Sequence, residues 1–188
     1  MMKFLTVFLM MFAVEAYSQN RDAVAEQFMD YSQLMIRRDF EKAVDLYASD
    51  ALLKKVSREE LTAMMRKMFS SPDVSFTVYL PENVEVLPQF ERLKGITYSI
   101  LAYTQQIDLK LPEEKRAQHD AIVNVLKKEF GSQNVVYHPD EDVYQIITAK
   151  KAVAGSRDLQ HWKFTVADKN AGYLLREIYP EKVLKLLN

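Results

Sequence analysis

The chain has 188 residues, with 25 basic and 26 acidic side chains and a formal net charge of -1 at pH 7. Its basic residues are interspersed apart from the doublets Lys54-Lys55, Lys127-Lys128 and Lys150-Lys151, which argues against a nucleic-acid role, since that needs a concentrated positive footprint. It has no cysteine, which excludes disulfides, thiol nucleophiles, thiolate metal sites and a lipid-modified N-terminal cysteine.

The N-terminus reads as an export signal. Lys3 is the positive residue, and Phe4 to Val14 is apolar apart from Thr6, too short a run to span a bilayer as a helix. Ala16-Tyr17-Ser18 has the small-x-small form of a cleavage site. Cleavage is expected after Ser18, with Ala16 as the alternative. Residues 1-18 are thus a signal peptide and 19-188 one domain, periplasmic or extracellular, without stable membrane insertion after cleavage.

Helices come first. Val24, Phe28, Tyr31 and Met35 form one apolar stripe and predict a helix from about Arg21 to Arg38. Asp39 is placed to cap a second helix, Phe40 to Ala48, burying Phe40, Val44 and Tyr47. Ser57 and Glu60 have capping-box spacing and start a third. Its apolar face is expected to be Leu61, Met64, Met65 and Met68, as core rather than as a ligand trap.

After Pro72 the period becomes two. Val74, Phe76, Val78 and Leu80 alternate in one strand, and Asn83 to Val86 gives a second. The stretch Gly95 to Leu111 is long and changes phase, which predicts a bulge near Leu101. Pro112 opens a helix to about Phe130 with Ile122, Val125, Leu126 and Phe130 inward, closed by Gly131. Two strand-turn-strand patterns follow, the second turning at Asp168 to Gly172, and Pro180 starts a short last helix. Helices segregated from strands predict an α+β fold, with N-terminal helices packed on a strongly bent antiparallel sheet and one helix inserted between strands.

The stretch from Phe28 to Leu53, with Arg38-Asp39-Phe40 at a helix break and Leu46-Tyr47-Ala48-Ser49-Asp50 at the end of the next helix, resembles the nuclear transport factor 2-like superfamily. The segments Lys127 to Ala154, His161 to Phe164 and Tyr173 to Leu187 are similar to small exported proteins of Bacteroidetes-type bacteria. The resemblance implies a cone-shaped sheet over the helices, in a fold shared by dehydratases, isomerases, cyclases and binding modules. Enzymes of that superfamily often place a His and an Asp inside the cone.

His161 is the candidate base, with Asp30, Asp45 or Asp108 as the carboxylates that would have to serve it. Tyr47, Tyr98, Tyr103 and Trp162 are the candidate pocket-wall aromatics, with core packing the default for Trp162. His119 and His138 have no zinc-type spacing and are read as surface histidines. Asp168 to Gly172 resembles the start of a calcium loop, but its glycine falls one position early and Tyr179 stands where the closing Glu belongs. Four scattered glycines allow no phosphate loop or dinucleotide fingerprint. No metal or cofactor is expected. The segment Thr97 to Ile107 carries no charge, and Thr97, Ser99, Thr104, Gln105 and Gln106 suggest a pocket lining or, by preference, a homodimer face.

The reading is an exported, non-catalytic module that binds a small molecule or an envelope protein. The alternatives are a dehydratase- or isomerase-like enzyme with His161 as base, and an envelope-assembly partner with a filled cone.

Overall fold

Helix α1 covers residues 20-36 in a computed structural model that describes residues 20-70, 74-168 and 172-187; the expected signal peptide, residues 1-18, lies outside them. The α1 stripe falls where its spacing puts it, with Val24 and Phe28 buried and Tyr31 half-buried. The helix stops where Arg38 takes φ 61°, a left-handed conformation that cannot propagate an α-helix. Asp39 then caps α2 (Phe40–Tyr47) by accepting from the Lys42 N–H at 3.4 Å. Ser49 caps a further helix, α3 (Asp50–Leu53), accepting from the Leu52 N–H at 3.1 Å. This turn was too short to show a period in the sequence.

Helix α4 (Arg58–Phe69) opens with the expected reciprocal box: Ser57 Oγ accepts from the Glu60 N–H at 3.1 Å, and the Glu60 carboxylate accepts from the Ser57 N–H at 3.0 Å. Its methionine face needs correction. Met64 and Met68 are more than half exposed. The inward seam runs through Thr62, Met65 and Phe69, at i, i+3 and i+7, with the Phe69 ring 5.1 Å from Phe40 and 5.0 Å from Phe76. That spacing turns Met64 and Met68 outward.

Among the described residues seven antiparallel strands follow: β1 (Ser75–Val78), β2 (Glu82–Val86), β3 (Glu91–Leu93), β4 (Ile96–Lys110), β5 (Val135–His138), β6 (Val143–Ser156) and β7 (Lys163–Ala167). A 3-10 turn at Glu113–Gln118 leads into α5 (His119–Phe130), inserted between β4 and β5 and ended by Gly131 at φ 96°. On α5, Val125 is 64% exposed, and Val123 packs inward with Ile122, Leu126 and Phe130. The strand expected after the Asp168 to Gly172 turn is instead α6 (Gly172–Ile178); residues 169-171 of that turn lie outside the described residues. Leu175 is its buried residue and has Ile178 one helical turn away, so its apolar face follows helical spacing and not alternation. Helix α7 (Glu181–Lys185) follows Pro180 as expected.

Strands β4 and β6 are the spine of the sheet. Their register is unbroken from Thr97↔Ser156 to Leu109↔Tyr144, so the bulge expected near Leu101 is absent; the irregularity lies in β2, between Glu82 and Glu85. The change of phase along β4 has another cause, burial on both faces. Leu101 and Tyr103 face α1 together with Val24, Phe28, Ala152, Ala154, Trp162 and Phe164. Tyr98, Ile100 and Val153 face the other way, under Leu175, Tyr179 and Val183 of the C-terminal helices and their junction. A third cluster joins α5 to the β5–β6 hairpin through Leu126, Val135, Tyr144 and Ile146.

A central strand buried on both faces has no room for charge. This accounts for the missing charge from Thr97 to Tyr103 and takes Thr97 and Ser99 out of the proposed dimer strip, whereas Thr104, Gln105 and Gln106 are half-buried. Thr97 and Ser99 are buried, and Gln105 Nε2 donates to the Tyr79 carbonyl at 2.8 Å. The architecture is α+β, helices on a bent antiparallel sheet, in agreement with a nuclear transport factor 2-like cone.

Candidate functional site

Alternation at the start of β7 divides the candidate residues. Trp162 and Phe164 turn inward and are 1% and 3% exposed. His161 and Lys163 turn outward, onto the face that carries Tyr98 and Gly155.

The loop before β7, Ser156 to His161, is organised by one carboxylate. Asp158 Oδ1 accepts from the backbone N–H of Gln160 and of His161, both at 2.9 Å, and from the Ser156 hydroxyl at 3.1 Å. Its Oδ2 accepts from His161 Nδ1 at 2.7 Å. Ser156 Oγ in turn accepts from the Leu159 N–H at 2.9 Å, and Leu159 takes φ 64°. From α1, Gln27 pins the same loop on both sides: its Nε2 donates to the Gln160 carbonyl at 2.7 Å, and its Oε1 accepts from the Trp162 N–H at 2.9 Å. The His161 ring, followed by the two N–H groups, holds the Asp158 carboxyl far below the usual carboxylate range.

This corrects the expected dyad. Asp45 pairs with Arg58 at 2.7 Å, and Asp108 accepts from the Tyr79 hydroxyl at 2.7 Å. The partner of His161 is Asp158, and the spacing Ser156-x-Asp158-x-x-His161, a side-chain-capped turn, is the sequence signal that identifies it. The ring is not inside the cone: it is 79% exposed at the rim of an outer cleft.

That cleft, about 120 Å³, is lined by Ser49, Tyr98, Ser156, Asp158, His161 and Lys163 among others. It opens into a groove of about 520 Å³ between α3, the β3–β4 turn and the α6–α7 junction. The two share Asp50, Ala51, Ile96, Tyr98 and Arg157. Burial lowers the Lys163 ammonium, whose Nζ donates to the Asp45 carbonyl at 3.3 Å. Burial raises the Tyr98 hydroxyl. Beneath them runs a buried hydroxyl relay: Tyr179 donates to Thr165 Oγ1 at 2.7 Å, and Thr165 donates to Ser49 Oγ at 2.8 Å.

Of the other candidate wall aromatics, Tyr103 lines a separate cavity of about 590 Å³ with Lys150, Lys151, Asp168 and Leu187, while Tyr47 and Trp162 pack among the rings of the inner face. Phe28 lies 4.9 Å from Tyr103 and 5.3 Å from Phe164; Tyr31 and Tyr47 lie 6.0 and 6.1 Å from Phe164; and Phe90 packs edge-on to Trp162 at 6.1 Å. Burial pushes the Tyr31 hydroxyl up to about 12 and the Tyr103 hydroxyl higher still. Of the four, Tyr98 alone lines the outer cleft.

Neither remaining histidine is a plain surface residue. His119 Nδ1 is 2.7 Å from the Tyr144 hydroxyl, and its ring packs 4.3 Å from Tyr137, because α5 starts directly over the β5–β6 hairpin. His138 Nε2 is buried without a hydrogen-bond partner among the described residues, because β5 carries it into the sheet before Pro139. Asp168 pairs with Lys150 at 3.2 Å. The described residues hold no group of three His, Asp or Glu placed to share a metal ion, and no helix among them is long and apolar enough to cross a membrane.

No protein-family profile matches the chain, and no curated protein matches its sequence. Among solved structures, the chain is similar to CagV, a VirB8 homolog of T4SS from Helicobacter pylori strain 26695, at 14% identity and a TM-score of 0.34, over 78% of this chain and 94% of that one.

Proposed function

We propose that the chain is an exported binding module of the nuclear transport factor 2-like type, and that it works through its outer cleft and not through the interior of its cone. The observation that carries this reading is the packed centre of the interior. Phe28, Trp162 and Phe164 pack that centre, with cavities beside it next to Tyr103, about 590 Å³, and next to Tyr31, about 250 Å³, whereas His161, Lys163, Arg157 and Tyr98 converge on a concave surface outside it. The groove joined to that surface, at about 520 Å³, falls within the roughly 300–1,000 Å³ usual for small-molecule sites. Partners on this reading are a small molecule or an envelope protein.

Native mass spectrometry of the purified chain tests it. A reproducible added mass, lost when Ile96→Trp fills the cleft, is the expected result. A bare chain, with an unrelated protein retained instead, moves the reading to envelope assembly; the same spectrum reports any homodimer.

A second reading has one observation in its favour. Asp158 at 2.7 Å orients His161 as a base is oriented in acid–base enzymes. Against it stands a ring 79% exposed, in a site that excludes no water. If dehydratase or isomerase chemistry occurs here, His161→Ala abolishes turnover.

A further inference from the structure

The wide groove sorts its own charges. Lys54, Lys55, Lys94 and Arg157 line it together with Asp50 and Glu177. Lys55 is paired with Glu177 at 3.0 Å, and Arg157 Nε lies 3.6 Å from Asp50. Both acids are thereby engaged, and among the described residues Lys54 and Lys94 have no carboxylate partner. The floor between them is apolar, with Leu93, Ile96, Ile178 and Pro180 beside Tyr98. The groove thus joins an uncompensated positive rim to an apolar base.

Lys94 adds a separate argument. It stands at φ 51° ahead of Gly95 at φ 78°, in a two-residue turn linking Leu93 to Ile96. Turns with two positive φ values favour Asn followed by Gly, and a long side chain at the first position is disfavoured. A lysine in a position better suited to asparagine places its ammonium at the mouth of the groove at a cost in turn stability, and local strain of this kind concentrates at functional sites.

We infer that this groove binds an organic anion with an apolar body, such as a medium-chain carboxylate, its acid group at Lys54 and Lys94 and its hydrocarbon on Leu93 and Ile96. The inference rests on the outer-cleft reading above and names its ligand class. Two uncompensated ammonium groups attract one acid group, while the engaged Asp50 and Glu177 disfavour ligands that carry several negative charges in a row.

Calorimetric titration of the full chain with decanoate and with decanol, its neutral counterpart, tests this. Decanoate is expected to bind at one site, roughly tenfold tighter than decanol, with affinity falling as salt rises. Lys54→Gln with Lys94→Asn is expected to weaken decanoate roughly fivefold and leave decanol unchanged. Lys94→Asn alone is expected to raise Tm by about 1–2 °C while weakening decanoate, a split that a purely structural lysine does not produce. Ile96→Trp is expected to abolish binding of both probes. Equal affinity for the two probes, or a charge variant that binds decanoate as wild type does, overturns the anion inference; if Ile96→Trp still removes both probes, the outer-cleft reading survives. Failure of both probes to bind, or binding that Ile96→Trp leaves intact, overturns the inference and the cleft reading together.

Discussion

The two faces of the β4–β6 ribbon are built from alternate residues of the same strands and do different work. On the inner face, Leu101, Tyr103, Ala152 and Ala154 meet α1 through hydrocarbon and ring contacts. On the outer face, Tyr98, Ile100 and Val153 are covered by the short helices α6 and α7, which stop before the end of the sheet. Past that edge lie the loop of Asp158 and His161 and the groove with its lysines. The close-packed face supplies stability. The partly covered face is free to carry polar groups whose placement serves something other than packing.

The largest expected effect breaks the inner face. Phe28→Ala removes a fully buried ring from the centre of the aromatic cluster and should cost about 3–5 kcal/mol, read as a lower urea midpoint at unchanged m. A midpoint like that of wild type would mean the interior is not closed and would reopen the cone as a ligand site. The relay under the outer face comes next. Thr165→Val leaves the Tyr179 hydroxyl buried without its acceptor and should cost about 1–3 kcal/mol. Tyr179→Phe should cost less, about 0.5–1.5 kcal/mol, because the Thr165–Ser49 bond remains. Strongly non-additive costs in the double variant would confirm that the three hydroxyls act as a unit.

Alkaline pH separates the two faces without mutating either. Tyr31, inside the cone, has its hydroxyl raised from 10 to about 12 by burial. The folded state therefore holds its proton more tightly than the unfolded chain. The stabilisation is complete below pH 10 and is lost as pH rises through 12, by about 2 kcal/mol at that pH. Tyr31→Phe should flatten the fall of Tm between pH 10 and 12. An unchanged fall would assign it to another group, such as Tyr103.

The division between the faces also explains what the sequence could reveal. Val24, Phe28 and Tyr31 locate α1 because a helix buried along one stripe keeps one period. Asp39 and the Ser57–Glu60 box act over at most three residues, so their roles can be read locally. Strand β4 is harder: with both faces buried, alternation carries no information, and a two-sided core imitates a bulge. Helix α6 is short enough that its apolar residues pass for a strand until the face it covers is known. Asp158 and His161 share a turn that a short motif specifies, yet whether the ring points into the cone or away from it depends on the parity of β7, set by pairing with a distant strand. Met64 and Met68 have helical spacing, but only the narrow contact with α2 decides which methionines it reaches.

The smallest effect on stability is the most selective test of the outer face. His161→Ala removes a ring 79% exposed and should move global stability by no more than about 0.5 kcal/mol. Its local effect is larger. That ring is the largest single cause of the depressed Asp158 carboxyl. A carboxyl whose folded pKa is lowered stabilises its loop above the unfolded value near 4 and loses that contribution as pH falls further. Without the ring, the Asp158 titration followed by NMR should move up toward the ordinary carboxylate range, while the N–H groups of Gln160 and His161 keep it somewhat low. If Tm instead falls as far as in Phe28→Ala, the loop belongs to the core and the division between a packing face and a binding face is wrong. If Tm holds and only the Asp158 titration moves, the rim of the cleft can be altered without loss of fold, as a site specialised for contact with another molecule requires.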